Sequence, residues 1–188
     1  MTTAWSDDHF IAGDVVLDFA NTVYRRTPEV GADLLDSAGS LTSWLQRAGL
    51  LPALSDTPVR FDDPQAVLRE ARALRGLLWG ILEARKDGRE LPPDAIAGLL
   101  SLAARSVGRD VSLGPDGTVA PRTAQGALTT LALRGIRLAL SPPAQPLRAC
   151  HRCGWYFLDT SRGRRRRWCN MKICGNQAKA ARYRSTHT

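Results

Sequence analysis

Arg148-Ala-Cys-His-Arg-Cys-Gly-Trp-Tyr-Phe-Leu-Asp-Thr-Ser-Arg-Gly-Arg-Arg-Arg-Arg-Trp-Cys-Asn-Met-Lys-Ile-Cys-Gly-Asn-Gln-Ala-Lys-Ala-Ala-Arg-Tyr-Arg184 contains all 4 cysteines of a 188-residue chain. They are spaced as two close pairs, Cys150/Cys153 and Cys169/Cys174, joined by an arginine-rich stretch. Two thiol pairs on tight turns can converge on one tetrahedral ion when the spacer brings the turns together. The spacing therefore points to a structural four-thiolate zinc site, one ion per chain, formed by Cys150, Cys153, Cys169 and Cys174. A redox dithiol at Cys150 and Cys153 is the competing reading, and it leaves the second pair unexplained. His151 is a further candidate ligand, although it sits between two cysteines on a tight turn.

The same stretch carries the charge. Residues 148–188 hold 11 Lys+Arg against Asp159 alone, whereas residues 1–147 hold 15 Lys+Arg against 17 Asp+Glu. Four ionised thiols around a divalent cation would lower the net +10 of the tail to +8. A cationic segment of about forty residues favours polyanions, with nucleic acid first, anionic lipid second and acidic protein surfaces third. A solvated basic tail without a specific partner is the plain alternative. So short a segment buries too little apolar surface to fold unaided. Trp155, Phe157 and Trp168 are expected to form a miniature core around the ion. Metal binding then supplies folding free energy, roughly 10–16 kcal/mol in small finger peptides.

Upstream, apolar residues recur at helical spacing. Ser40 is expected to cap a short helix carrying Leu41, Trp44, Leu45 and Ala48. Asp63-Pro64 starts a longer one, because aspartate accepts from the first unpaired amides and proline suits the first helical position. It runs to Lys86 with Val67, Ala71, Leu74, Leu78 and Leu82 on one face, and stops at Gly88. Pro92-Pro93 opens a helix through Ile96, Leu99, Leu100 and Ala103 that ends near Gly108. Val111-Ser-Leu and Thr118-Val-Ala flank Gly114-Pro-Asp-Gly117 and read as a small hairpin. Helical spacing resumes from Thr123 to Leu140, with Leu128, Leu131, Leu133, Ile136 and Leu140. Ser141-Pro-Pro-Ala-Gln-Pro146 halts it and favours a short extended linker. The fold class is thus mainly α: a helical domain over 1–140 with one small β-hairpin, a Pro-rich linker over 141–147, and a small zinc-finger module over 148–188.

The motifs Cys-Gly-Trp-x-Phe-x-Asp-Thr-Ser at 153–161, Arg-Arg-Trp-Cys at 166–169 and Cys-Gly-Asn at 174–176 closely resemble the CGNR zinc-finger family, bacterial proteins described as stress-induced transcription regulators. Gly13-Asp-Val-Val-Leu-Asp-Phe-Ala-Asn-Thr22 resembles the Leu-Asp-Phe-x-Asn-Thr signature that opens the family's N-terminal domain. The resemblance therefore extends along the whole chain. It implies that the four cysteines bind zinc and that the module reads DNA. Two departures stand out: Gln177 replaces the arginine of the name-giving motif, and the first thiol pair is tighter than in many relatives.

Ala178, Lys179, Ala180, Ala181 and Arg182 are good helix formers, so a terminal helix is expected to start near Asn176, with Lys179 and Arg182 on one face. In a nucleic-acid complex, Arg164, Arg165, Arg166, Arg167 and Lys172 would bind phosphate, while Gln177, Lys179 and Arg182 would lie along or in the major groove. Some of the arginines would instead point inward and offset the doubly negative zinc–thiolate centre. Gln177 could pair with adenine, or stand as an ordinary exposed helix-terminal glutamine.

Asp18 and Asn21 interrupt an apolar run at a spacing that shares a helical face. They form a candidate ligand pocket for a small-molecule effector, the alternative being that they satisfy backbone groups at a helix junction. No Gly-rich phosphate loop, nucleophile elbow or acid–base pair is apparent, so an enzyme is not expected. Neither a secretory signal pattern nor a run of ~18 apolar residues is present, which gives a cytoplasmic expectation with no membrane partner. The expected function is a zinc-containing, DNA-binding, stress-responsive transcription regulator. A zinc-stabilised RNA- or protein-interaction module is the alternative. A homodimer would raise avidity, although no residue pattern specifies one.

Overall fold

Asp63 accepts from the amides of Gln65 and Ala66, both at 2.9 Å, and so launches the longest helix of the chain where the Asp-Pro pair predicts it. The computed structural model describes residues 3–52 and 63–186. In chain order the elements are a 3-10 turn at Asp7–His9, α1 (Val15–Ala20), α2 (Ala38–Arg47), α3 (Pro64–Lys86), α4 (Pro93–Ser106), β1 (Val111–Leu113), β2 (Val119–Pro121), α5 (Ala124–Leu140), β3 (Leu147–Ala149), β4 (Tyr156–Leu158), a π-helical turn at Met171–Gly175 and α6 (Asn176–Thr186). The mainly α class is as expected. The β1–β2 hairpin pairs Val111 with Pro121 and Leu113 with Val119, and Gly117 supplies the positive φ of its turn. A second antiparallel pair, β3–β4, was not anticipated.

One cap differs from expectation. Ser37, not Ser40, starts α2: its hydroxyl accepts from the Ser40 amide at 3.1 Å, and the Ser40 hydroxyl accepts in return from the Ser37 amide at 3.0 Å. This is a capping box with serine in the place usually held by glutamate or glutamine. Ser40 thus lies inside the helix and is buried.

The elements gather into two compact units. The first spans Leu34–Pro142, together with the residues up to Trp5. The second joins Ser6–Asp33 to Pro143–Thr188. The third and last crossing between units, after Pro142, falls within the 141–147 segment read as a linker. Residues 6–33, read as part of a 1–140 domain, group instead with the tail. The physical reason is the shortage of apolar surface in the tail, which α1 supplies.

In the first unit, α5 carries a buried stripe of small and branched residues, including Ala127, Leu128, Leu131, Ala132 and Leu138, and packs on α3 and α4. From α3 come Leu68, Ala71, Leu74, Leu78, Ile81 and Leu82, so the stripe matches the expected one except that Leu68 takes the buried place assigned to Val67. Leu100 and Leu140, expected on the apolar faces of their helices, are exposed instead. α2 adds Leu41, Trp44 and Leu45, all fully buried.

Gly126 marks the tightest approach in this unit, since a Cβ there would overlap the carbonyl oxygen of Asp110. That oxygen is a fixed backbone atom and cannot yield as a side chain would. Gly126→Ala is expected to destabilise the first unit by about 1–3 kcal/mol, despite alanine's better helix propensity. Gly76→Ala on α3, where nothing lies within 4 Å of the added carbon, should instead be neutral or stabilising by up to about 1 kcal/mol. Denaturant unfolding of the two variants checks the contrast, and equal effects would contradict it.

Candidate metal centre and basic surface

β3 delivers the chain into the first thiol pair. The Gly154 amide donates to the Cys150 carbonyl at 2.9 Å, and the Cys150 amide to the Trp155 carbonyl at 2.8 Å, closing a tight knuckle. Gly154 holds φ +74, a left-handed conformation that glycine adopts without strain. The turn points amides at sulfur: those of Cys153 and Cys169 at Cys150 Sγ, and that of Trp155 at Cys153 Sγ. The second pair is set by Asn170, whose side-chain oxygen accepts from the Lys172 amide at 2.7 Å and caps the π-helical turn containing Cys174. α6 follows directly.

The four sulfurs all lie within 4.8 Å of one another, and all four residues are buried. Cys153 Sγ to Cys169 Sγ and Cys169 Sγ to Cys174 Sγ are each 3.6 Å, and none of the four is in a disulfide. Zinc–sulfur bonds of about 2.3 Å in a tetrahedron require edges of about 3.8 Å, so the donor set fits one zinc ion in both chemistry and spacing. Neighbouring thiols of Cys153 and Cys169 donate to Cys150 Sγ and hold its thiol far below the ordinary range. Those contacts push the thiols of Cys153 and Cys169 up. A divalent ion at the centre of such a cluster would let all four sulfurs bind as thiolates. His151 is exposed and packs edge-on to Trp168 at 5.8 Å, with its Nδ1 facing Arg167, and it is not in the cluster.

The N-terminal segment completes this unit. The side chain of Asn21 pairs with the backbone of Tyr156 in both directions: Nδ2 donates to the carbonyl at 2.8 Å, and Oδ1 accepts from the amide at 2.9 Å. The Leu158 amide donates to the Ala12 carbonyl at 2.8 Å. The Arg26 and Thr27 amides both donate to the Cys153 carbonyl, at 2.6 and 3.3 Å. Trp155 Nε1 donates to the Val23 carbonyl, and Asn170 Nδ2 to Asp8. The core is therefore Tyr156, Phe157 and Leu158 against Val16, Leu17, Phe19 and Ala20 of α1. The expected cluster of Trp155, Phe157 and Trp168 is corrected, because both tryptophans stay partly exposed.

Asp18 accepts from the Ala12 amide at 2.9 Å. Asp18 and Asn21 thus both bond backbone of their own unit, the second of the two readings given for them. Burial pushes the Asp18 carboxyl up to about 6, against the pull of the Ala12 amide and with the help of the Asp14 charge. A cleft of about 630 Å³ with a mixed polar and apolar lining lies elsewhere, in the first unit, among residues including Val67, Glu70, Arg105, Asp110, Ala124 and Gln125.

The spacer between the thiol pairs is organised by Asp159, the lone acid of the tail and the aspartate of the Asp-Thr-Ser motif, to which the sequence alone assigned no role. Its Oδ1 accepts from the amide and hydroxyl of Ser161, at 3.0 and 2.6 Å. Its Oδ2 accepts from Arg148 Nε and the Arg166 amide, both at 2.9 Å. Burial raises the Asp159 carboxyl, but the Ser161 and Arg166 donors and Arg148 outweigh it and hold it below the usual range. The legible signal was Asp159-Thr-Ser161, an acceptor two residues ahead of a donor, as in a side-chain-closed turn.

The predicted nucleic-acid residues divide. Arg166 turns inward: its guanidinium donates to the carbonyls of Trp168 and Cys169 and lies 4.7 Å from the centre of the Phe157 ring. Arg164, Arg165, Arg167 and Lys172 are exposed, as are Arg152 and Arg162, which the sequence reading did not single out. Gln177, Lys179 and Arg182 are exposed on α6, a helix with no buried side chain.

Two family models match the chain. Residues 13–145 match ABATE, described as "Putative stress-induced transcription regulator", and residues 147–187 match the CGNR zinc finger. No curated protein matches.

Two measurements test this site. Purified protein should contain about one zinc per chain, and Cys169→Ser should abolish metal retention while α2–α5 keep their helical signal. Retention of stoichiometric zinc in that variant would contradict the four-sulfur assignment. The Asp18 carboxyl titrates higher in the folded chain than its ordinary 3.8. Its contribution to stability is therefore most favourable below about pH 4 and is lost as pH rises through 6. Zinc-loaded wild type should lose about 1.4 kcal/mol relative to Asp18→Asn between pH 5 and pH 7.5. A pH-independent difference between the two in denaturant unfolding would contradict it.

Proposed function

The chain belongs to the ABATE family and ends in a CGNR zinc finger, and from that premise we propose that it is a zinc-stabilised DNA-binding regulator of transcription, responsive to stress and cytoplasmic. The observation that carries this reading is the charge arrangement of the second unit. Its C-terminal part turns Arg152, Arg162, Arg164, Arg165, Arg167 and Lys172 to solvent, while its one carboxylate, Asp159, is buried and bonded to Arg148. The outward charge of this C-terminal part is therefore cationic, with exposed acids of the unit, Asp7, Asp8 and Glu29, confined to its N-terminal segment, and a cationic surface favours a polyanion.

When bound, zinc neutralises half of the four thiolate charges and fixes the two turns in place. The chain's own residues do the rest. Asp159 and Arg148 hold the arginine loop in one shape, so its guanidinium groups meet a phosphate backbone with less ordering cost than a disordered tail would incur. Phosphate contacts set position and affinity, and side chains at base edges set sequence choice. No described helix is long and apolar enough to cross a membrane, and four unoxidised thiols suit a reducing compartment. The protein acts by binding and not by catalysis. A small polar effector would act through the cleft at Glu70, Arg105 and Asp110. Pairing two chains would raise avidity on a two-part site.

The test is a salt titration of full-length, zinc-loaded protein on duplex DNA selected from a random pool and on a scrambled duplex. Specific reading predicts a preference that persists as salt rises. Binding should weaken with a log–log slope of about 0.9 per phosphate neutralised. Equal affinity for both duplexes at every salt concentration would support the RNA- or protein-interaction reading instead, and an absence of duplex binding would overturn the proposal.

A further inference from the structure

α6 has no packing face. Of its eleven residues, only Ala178 is even partly shielded, and none is buried. Isolated helices shorter than about 12–15 residues are marginal in water. α6 is held by its join to the π-helical turn at Met171–Gly175, against which it makes its contacts. A helix anchored at one end and exposed along its length presents its side chains to a partner. Its side chains include Lys179, Arg182 and Arg184 and no acid, so the partner it fits is the polyanion of the proposed function.

The surface is not uniform. Ile173, Gln177, Ala181 and Arg184 follow one another at spacings of four, four and three residues along the continuous helical run, which places them on one face. Lys179, Arg182 and Thr186 recur at spacings of three and four and occupy the opposite side. One face thus carries a branched aliphatic group, an amide, a methyl and a guanidinium; the other carries two cations and a hydroxyl. Ile173 is 37 % exposed although strongly apolar, and the wide π-helical turn leaves it outside. The amide of Gln177 is exposed and makes no hydrogen bond to any described residue. Base edges in the major groove are met by groups of the first kind: a carboxamide pairs with adenine N6 and N7, a guanidinium with guanine O6 and N7, and apolar groups with the thymine methyl. Phosphates are met by groups of the second kind.

Building on the DNA-binding reading, we infer that the Ile173–Gln177–Ala181–Arg184 face of α6 is the base-reading edge of the protein, and that Gln177 determines specificity on it by selecting adenine. The matched zinc-finger model is named for Cys-Gly-Asn-Arg, and this chain carries Cys174-Gly175-Asn176-Gln177. The replaced position is therefore the one at which amide and guanidinium choose different bases.

The experiment is selection from a random duplex pool by full-length, zinc-loaded wild type, Gln177→Arg and Gln177→Ala, each first checked for about one zinc per chain. Wild-type sites should share an adenine at one position, favoured by roughly 5- to 100-fold. Gln177→Arg should replace it with guanine at that same position and keep the preferences elsewhere, and Gln177→Ala should accept any base there. Identical sites from all three proteins would overturn the assignment of Gln177. Salt-sensitive duplex binding with no enriched sequence would overturn the reading face while leaving the electrostatic part of the proposed function intact. Failure of the wild type to bind any duplex would remove that function, and the inference with it.

Discussion

Four sulfur atoms held within 4.8 Å of one another in a buried site cannot all ionise without a cation between them. This constraint governs the second unit. Each sulfur arrives on a turn whose amides or capping side chain are already committed: Gly154 and Trp155 at the first pair, Asn170 at the second. With the ion in place the two turns share one centre, and the spacer between them becomes a closed loop of defined shape. Without it, the folding free energy that metal binding supplies is lost and the arginines lose part of the frame that orients them.

The ion does not carry this alone. A tail of about forty residues has too little apolar surface to hold a core, and here that surface comes from the other end of the chain. Tyr156, Phe157 and Leu158 are buried against α1, and Asn21 supplies β4 with the two hydrogen bonds that a neighbouring strand would otherwise make. The Arg26 and Thr27 amides close on the carbonyl of a cysteine in the first knuckle. Metal binding and docking of the N-terminal segment are thereby coupled, since each stabilises the turn that the other uses. The matches at 13–145 and 147–187 divide this unit in sequence, whereas its hydrogen bonds join the two parts.

What was legible in the sequence is what local chemistry decides. The cysteine spacing, the Asp63-Pro64 start, the Pro92-Pro93 opening and the Gly114–Gly117 turn all act over a few residues, and each element stands where they put it. Partner choice between two serines was not legible, because Ser37 and Ser40 are equally good caps until the reciprocal bond between them forms. Nor was the role of Asn21, whose partner Tyr156 lies 135 residues away. Asp18 and Asn21 read as either a ligand pocket or partners for backbone groups, and the choice was not legible because the strand that Asn21 serves is only three residues long and gave no periodic signal. The arginine run presented the same difficulty in reverse: four identical neighbours in sequence, of which Arg166 alone is drawn inward by the Trp168 and Cys169 carbonyls.

The coordination shell itself is the most direct measure of this account. X-ray absorption at the zinc edge of the purified full-length protein should show four sulfur neighbours at about 2.3 Å and no nitrogen or oxygen in the shell. A shell containing a histidine nitrogen or fewer than four sulfurs, or sulfur atoms bonded to each other, would contradict it.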